Sequence, residues 1–268
     1  MEAEDTISIL GCGWYGLALA KQLVQSGYAV KGSTTTSEKL TLLSKYGIES
    51  FLIDAADEQN ALNPLFFESK ILVIAIPPKV RSGNGENYIP QIKNIVKAAK
   101  ASDTIEHVIY ISSTSVYGDN NSVVTETVSP QPSTESGNVL LAVENLLRAE
   151  PAFTTTIIRF GGLFGPGRDA GRFFAGKSNI PNGQAPVNMI HLDDCLGITS
   201  AILEKRAFGH TYNACTPEHP PKTQFYAKAA EQSNLTAPEF IDELNEWKEV
   251  NSINVPKLLN YHFKHKLI

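Results

Sequence analysis

Short apolar runs and segments with helical spacing of apolar residues alternate along this chain. The runs predict strands over Thr6–Leu10, Tyr28–Gly32, Glu49–Asp54, Lys70–Ile76, His107–Ile111, Thr155–Phe160 and Gly209–Ala214. Helical spacing predicts helices that end at Gly27 and Gly47, and further helices over Tyr88–Ala101, Gly137–Arg148, Cys195–Leu203 and Thr223–Ser233. Alternation of this kind is typical of an α/β fold with a doubly wound parallel sheet.

A glycine-rich loop joins the first strand to the first helix. Gly11, Gly13 and Gly16 have the spacing G-x-G-x-x-G. The first glycine permits a sharp turn, the second lets a pyrophosphate approach the backbone, and the third lets the helix pack closely on the strand. Helix-start amides, including those of Trp14 and Tyr15, then favour an anion. The loop therefore predicts dinucleotide binding, and the alternative is a turn used only for packing.

Hydroxyl side chains follow the second predicted strand, where the adenosine ribose of a dinucleotide binds. They belong to Ser33, Thr34, Thr35 and Thr36. NAD-preferring sites usually carry a carboxylate here. Because Lys31 and Lys39 are close in sequence, we predict NADP as the cofactor, with NAD as the alternative. Thr35 and Glu38 also have capping-box spacing, so these hydroxyls are equally suited to a helix start.

The ends of the other predicted strands complete the cofactor crevice. The additional predicted cofactor residues are Asp54, Ala75, Ile76, Pro77 and Ser112. Asp54 is suited either to adenine contact or to a helix cap. The polar segment Arg81–Asn87 lies on the same side, and we favour a solvated loop over a contact with the cofactor.

Four motifs in order resemble the short-chain dehydrogenase/reductase superfamily, in its epimerase/dehydratase branch. They are the glycine loop, Ser112–Gly118, Arg159–Arg168 and Asn188–Asp194. The resemblance covers nearly the whole chain. It implies a Rossmann-like dinucleotide-binding domain over residues 1–165 and a small, interleaved C-terminal substrate lobe mainly over 166–268, forming one structural unit.

The resemblance also implies that Ser113 is the catalytic serine and contacts the substrate together with Thr114. The family's proton-donating Tyr and its Lys partner are replaced here by Ser136 and Leu140. General acid–base assistance contributes about 10²–10⁴-fold in rate, so the loss of the proton-donating tyrosine is expected to slow the family's usual reaction. Glu135 and Ser136 remain as candidates for proton transfer, whereas Tyr117 is interpreted as a packing residue.

Two function hypotheses therefore stand. The first is an oxidoreductase, epimerase or dehydratase that acts on a small carbonyl or nucleotide-sugar-like substrate without the usual Tyr–Lys pair. The second is a catalytically inactive NADP-binding sensor or scaffold. The glycine loop also departs from the G-x-x-G-x-x-G of many extended members, since Leu10 stands where their first glycine would be.

Basic residues occur in the Gly-, Pro- and Asn-rich segment Gly165–Val187. Arg168 and Arg172 are predicted to hold a phosphate or carboxylate of the substrate, and solvated charges on a surface loop are the alternative.

His191, Asp193 and Asp194 suggest either a metal site or a helix start. A fourth ligand or second cluster is missing from the pattern, and the remaining histidines have no ligand-like spacing, so we predict a helix start and no metal. The last segment, Val255–Ile268, is predicted to be a solvated helix and tail.

Composition and charge limit the classes of partner expected for this chain. The net charge is −5, which does not favour nucleic acid, and the longest apolar run is too short for a membrane span. Three distant cysteines and an acidic start favour a cytoplasmic protein with reduced thiols. The predicted partner is a small-molecule substrate, and a homodimer remains open.

Overall fold

The computed structural model describes residues 6–56, 61–78 and 85–267. Its strands are β1 (Ile7–Leu10), β2 (Val30–Thr34), β3 (Glu49–Leu52), β4 (Ile71–Ile74), β5 (His107–Ser113), β6 (Ser122–Val124), β7 (Thr154–Phe160), β8 (Gly162–Phe164), β9 (Met189–His191), β10 (Thr211–Ala214) and β11 (Lys248–Val250). Its α-helices are α1 (Trp14–Gln25), α2 (Leu40–Lys45), α3 (Pro64–Phe67), α4 (Tyr88–Ser102), α5 (Glu135–Arg148), α6 (Leu192–Glu204), α7 (Lys222–Gln232) and α8 (Asn254–Leu259).

Seven strands form one parallel sheet in the order β10-β7-β5-β4-β1-β2-β3. In the centre, Ile7 is opposite both Val30 of β2 and Ile71 of β4. Every residue of β1 and of β4 is buried, as expected for strands covered by helices on both faces. The predicted doubly wound α/β fold is confirmed.

The second strand begins two residues later than predicted. The Tyr28 amide donates to the carbonyl of Leu23 and so completes the end of α1, and β2 starts at Val30. Ser33 and Thr34 consequently lie in the strand and are buried. Lys31 lies near the start of β2, where its ammonium group donates to the carbonyls of Leu65 and Glu68. The expectation that Lys31 accompanies Lys39 at the ribose end was wrong.

The predicted capping box was also wrong. A single turn of 3₁₀-helix, Ser37–Lys39, precedes α2, and the residue at its cap is Thr36, whose side chain makes no capping hydrogen bond in this described segment. The Thr34 hydroxyl instead accepts a hydrogen bond from the Thr36 amide at 3.1 Å. The strand end, and not a helix cap, therefore orders this turn.

The chain divides into two compact units that are interleaved in sequence. The first comprises Met1–Ser112, Glu135–Ile158 and Arg206–His210. In it, apolar side chains of α1, α4 and α5 are buried, among them Leu19, Ile92 and Val143. Burial of such faces is the main source of free energy that stabilises a domain.

The second unit comprises Ser113–Thr134, Arg159–Lys205 and Thr211–Ile268. It contains two small parallel sheets, β8 with β9 and β6 with β11. Its core includes a cluster of Val187, Met189, Phe225, Tyr226 and Leu267. Over the described residues, no helix has the length and apolar character that crossing a membrane requires.

The C-terminal helix and tail are present, but the prediction that they are solvated was wrong. Helix α8 ends at Leu259, and the chain that follows is held by the carboxylate of Asp194 in the second unit. Asp194 accepts from the Tyr261 hydroxyl at 2.8 Å and from the Lys264 amide at 2.7 Å. Leu267 is buried, so the tail is an integral part of this unit.

Candidate functional site

A cavity of about 480 Å³ lies in the first unit at the carboxyl ends of its strands. This edge of a doubly wound sheet is where ligands bind in such folds. The described lining comprises Leu10, Gly11, Cys12, Gly13, Ser33, Thr34, Thr35, Thr36, Lys39, Ile53, Asp54, Ala55, Ala56, Ala75, Ile76, Pro77, Pro78, Asn87 and Gln91. Eleven of the predicted cofactor residues therefore share one cavity: Gly11, Gly13, Ser33 to Thr36, Lys39, Asp54, Ala75, Ile76 and Pro77.

The three glycines of the loop meet different steric demands. Gly11 has φ +100°, which L side chains rarely adopt, and a Cβ there would lie 2.8 Å from Ile76 Cγ2. A Cβ on Gly16 would lie 2.2 Å from the carbonyl oxygen of Gly11, so only glycine allows α1 to approach the strand this closely. A Cβ on Gly13 would meet nothing within 4 Å. The space in front of Gly13 is available to a ligand.

Helix α1 begins directly beyond that space. Its N-cap is Gly13, which supplies no side chain to the first amides, and its described first turn contains no acidic residue. The positive end of the helix dipole thus lies at the cavity wall without a neutralising carboxylate in that turn. The donor set and the open cradle fit a pyrophosphate group.

Ser33 holds the loop in this shape. Its hydroxyl accepts from the Gly11 amide at 2.9 Å, and its carbonyl accepts from the Cys12 amide at 2.8 Å. Sequence reasoning assigned Ser33 to the ribose. The structure adds a role in fixing the turn, because β2 extends far enough to place residue 33 beside the loop.

A buried tyrosine supports the opposite wall. The Tyr88 hydroxyl donates to the carbonyl of Ile76 at 2.8 Å and lies 3.1 Å from the hydroxyl of Tyr110. Burial raises the pKa of both tyrosines, so both hydroxyls stay protonated at neutral pH. Sequence reasoning missed Tyr88 and Gln91. For Asn87, at the end of the segment Arg81–Asn87, it favoured solvent, whereas this residue lines the cavity. The sequence signal for these residues was the predicted start of a helix at Tyr88, ten residues after Pro78.

Among the described residues of the lining, one cation and one anion are exposed at the rim of the cavity. Lys39 is exposed and follows the four hydroxyl residues. Asp54 is exposed too, and its carboxylate accepts from the Ala56 amide at 3.0 Å. Residues 81–84 of the predicted polar loop lie outside the described residues.

Four predicted cofactor residues lie outside the described lining: Trp14, Tyr15, Gly16 and Ser112. Gly16 acts through packing, as shown above. Tyr15 is buried. The Ser112 hydroxyl donates to the carboxylate of Glu144 in α5 at 2.7 Å, and both residues are buried. Its hydroxyl is therefore committed to the helix.

The candidate catalytic residues occur in both units. In the second unit, the Ser113 hydroxyl accepts from the Ser115 amide at 3.1 Å at the start of a 3₁₀ turn, and Thr114 is buried. In the first unit, Glu135 and Ser136 begin α5, with Glu135 exposed and Ser136 half-buried. Leu140, which the sequence resemblance aligns with a lysine, is buried.

Tyr117 is a structural residue. In the second unit its hydroxyl contacts the carbonyl of Thr125, Asn213 and Arg159, the last at 2.6 Å. It is 2% exposed, and burial raises its pKa. The sequence-based interpretation as a packing residue is confirmed.

The predicted substrate arginines differ in surroundings. Arg168 lines a cavity of about 390 Å³ in the second unit together with His191, Lys228, His265 and Lys266. Arg172 lies outside that described lining and forms an exposed ion pair with Asp169 at 3.6 Å. Exposed pairs of this kind contribute little to stability.

Comparison with known proteins places this geometry in context. The model of a family described as NADP oxidoreductase, coenzyme F420-dependent, matches residues 6–87. Protein YeeZ of Escherichia coli (strain K12) is 38% identical over 247 residues, which cover 90% of this chain and 89% of that protein.

Two solved structures extend the similarity to the whole fold. UDP-glucuronic acid 4-epimerase from Bacillus cereus in complex with NAD has a TM-score of 0.78 and 21% identity, covering 98% of this chain and 94% of that one. A short-chain dehydrogenase/reductase superfamily protein from Agrobacterium tumefaciens with bound NAD has a TM-score of 0.76 and 17% identity, covering 98% of this chain and 93% of that one. The chain thus has the Rossmann-type fold of these two structures.

Proposed function

Because the chain belongs to the family of protein YeeZ, and its fold is that of the short-chain dehydrogenase/reductase superfamily, we propose that it binds NADP at the glycine loop. The observation that carries the proposal is the open space at Gly13 beside an α1 N-terminus without a side-chain cap. The pyrophosphate would rest there, and the nicotinamide, when bound, supplies hydride transfer.

The preference for NADP over NAD rests on the rim. Four residues with hydroxyl side chains line the cavity, namely Ser33, Thr34, Thr35 and Thr36. Lys39 adds a positive charge to the same lining. A 2′-phosphate gains charge-assisted hydrogen bonds from such groups. Asp54 is the one acidic residue in the described lining.

A Gly13→Asp variant tests the binding site. Aspartate is a good N-cap, so the fold is expected to persist, while its carboxylate occupies and repels the pyrophosphate position. Calorimetric titration should show NADP binding by the native protein and at least a hundredfold loss in the variant. An unchanged melting temperature together with unchanged affinity would exclude this site.

A Lys39→Ala variant tests the cofactor preference. We expect about tenfold weaker NADP binding and unchanged NAD binding, because only NADP carries the phosphate. Lys45→Ala, in the same segment but outside the described lining, is the matched control. Equal loss for both dinucleotides would contradict the assignment.

For the reaction, we propose oxidoreductase or epimerase/dehydratase chemistry on a small carbonyl or nucleotide-sugar-like substrate. Ser113 would donate a hydrogen bond to the substrate oxygen, and Glu135 with Ser136 would assist proton transfer at the position of the missing tyrosine. Arg168 and Arg172 would hold an anionic part of the substrate.

The replacement of the Tyr–Lys pair by Ser136 and the buried Leu140 supports a second candidate, an NADP-binding sensor without turnover. A screen of such substrates by nicotinamide absorbance separates the two. Enzymatic function predicts turnover that Ser113→Ala lowers by about 10²-fold with unchanged NADP affinity. A turnover rate of the native protein equal to that of the Ser113→Ala, Ser136→Ala double variant would favour the sensor.

A further inference from the structure

Three side chains of metal-ligating types converge in the second unit, whereas the residues proposed for the dinucleotide belong to the first unit. His191 is the N-cap of α6, and Asp193 lies in the first turn of that helix. His265 comes from the C-terminal tail. One ligand atom from each lies within 4.8 Å of the other two. The convergence depends on a contact across 72 residues of sequence.

The tail is anchored on both sides of His265. The buried carboxylate of Asp194 accepts from the amides of Lys264 at 2.7 Å and His265 at 3.2 Å. Beyond it, the Leu267 amide donates to Glu218 at 2.8 Å, and the Leu267 side chain is buried in the core cluster. Since the backbone is held at these points, His265 is presented to Asp193 in a defined position.

The donor atoms are oriented toward one carboxylate oxygen. His265 Nε2 lies 2.7 Å from Asp193 Oδ2, and His191 Nδ1 lies 3.5 Å from the same oxygen. The two imidazole rings stack with centroids 3.6 Å apart. His191 Nδ1 also accepts from the Asp193 amide at 3.2 Å, so this nitrogen carries a lone pair and not a proton, and a metal ion bound there would take that lone pair over from the amide.

We propose that His191 Nδ1, Asp193 Oδ2 and His265 Nε2 bind a divalent transition metal ion such as Zn²⁺. Two imidazoles and one carboxylate are a ligand set that zinc accepts, usually with water in the fourth position. Metal–ligand distances near 2.0–2.1 Å in a tetrahedron separate the ligand atoms by about 3.3 Å. To reach that separation, His265 Nε2 and Asp193 Oδ2 would move apart by about 0.6 Å from 2.7 Å, and His191 Nδ1 and Asp193 Oδ2 would move closer by about 0.2 Å from 3.5 Å.

The fourth coordination position has access to a cavity. His191 and His265 both line the cavity of about 390 Å³ that also contains Arg168, Lys228 and Lys266. These cationic side chains favour an anionic fourth ligand over a second cation. The Asp169 carboxylate in the same lining already accepts from the Gly171 amide and the Ser233 hydroxyl. The proposed ligand set is therefore His191, Asp193 and His265.

The test uses the full chain, without an affinity tag and treated with a chelator, in the absence of nucleotide. Calorimetric titration with Zn²⁺ and the visible spectrum with Co²⁺ measure the site. His265→Ala is expected to weaken Zn²⁺ binding at least tenfold and to remove the Co²⁺ spectrum. His262→Ala, an exposed histidine of the same tail outside the cluster, is the matched control and should bind as the native protein does.

Two further variants keep the result decisive if His265→Ala is unstable. His191→Asn retains a helix-capping acceptor, and Asp193→Asn retains the shape of the side chain, so both should fold. Each is expected to weaken Zn²⁺ binding at least tenfold and to abolish the rise in melting temperature that Zn²⁺ produces in the native protein. Equal Zn²⁺ affinity in the native protein and these variants, or equal loss in His262→Ala, would overturn the proposal. Because nucleotide is absent, this outcome is independent of NADP binding.

Discussion

The hydroxyl of Ser33 accepts a hydrogen bond from the Gly11 amide at 2.9 Å. This bond links the end of β2 to the turn that follows β1, across 22 residues of sequence. Gly11 adopts φ +100° at that point, as glycine does without strain, and the hydrogen bond to Ser33 fixes the position of the turn. Ser33 is thus both a lining residue of the cavity and a support of its glycine loop.

Removing this support should weaken the site more than it alters the fold. Ser33→Ala leaves the Gly11 amide without its acceptor, a loss that costs on the order of 1–3 kcal/mol when the group is buried. We expect NADP binding about three- to tenfold weaker and a lower melting temperature. Ser37→Ala, at an exposed position of the next turn, is the control for both measurements. A variant at Ser33 that behaves as this control does would contradict the supporting role.

The surroundings of Gly16 and Gly13 predict very different losses of stability from one added methyl group. Gly16→Ala places a Cβ 2.2 Å from the Gly11 carbonyl oxygen, so helix and strand must separate. Overpacking of this type costs about 1–3 kcal/mol, and backbone contacts relax poorly, so we expect the upper end of that range in urea denaturation. Gly13→Ala, where a Cβ meets nothing within 4 Å, should cost only about 0.5 kcal/mol through its weaker N-cap. Equal losses of stability in Gly16→Ala and Gly13→Ala would show that the close approach of α1 does not restrict residue 16 to glycine.

The thiols are expected to be unreactive in the native protein. All three cysteines are free and buried, and burial raises the pKa of Cys12 from 9.0 to about 12. At pH 8 its thiolate fraction is then about a thousandfold smaller than in the unfolded chain. Alkylation with iodoacetamide, followed by mass spectrometry, should label Cys12 rapidly in urea and very slowly without it.

The same shift predicts a pH dependence of stability. Between about pH 9 and pH 12 the folded chain retains a Cys12 proton that the unfolded chain has lost. The stabilising contribution is therefore complete below pH 9 and decreases as pH rises. Urea denaturation at a series of pH values should show this slope, and Cys12→Ala should flatten it. A native slope equal to that of the variant would exclude Cys12 as a contributor.

Local patterns were sufficient for the main elements of the sheet. The apolar runs that became β1, β4, β5 and β7, and the helical spacing of α4 and α5, appear where the residue patterns predict them. Errors occurred where distant contacts decide. Asp194 holds the C-terminal tail in place, because its carboxylate accepts from amides more than 60 residues away. The later start of β2 has a local cause instead, since the Tyr28 amide donates to the Leu23 carbonyl at the end of α1.

The sequence by itself determined the order of the seven strands of the main sheet and of most helices, the glycine loop and most of the residues that line its cavity, because these depend on short-range periodicity and on steric rules for single residues. It did not predict α3 or the strands of the two small sheets. Only the tertiary structure decided that the Ser33 hydroxyl turns toward Gly11, that the Ser112 hydroxyl binds Glu144, and that His265 lies beside Asp193. Each of these contacts joins segments whose spacing in the chain carries no signal, since chain folding alone brings the partners together.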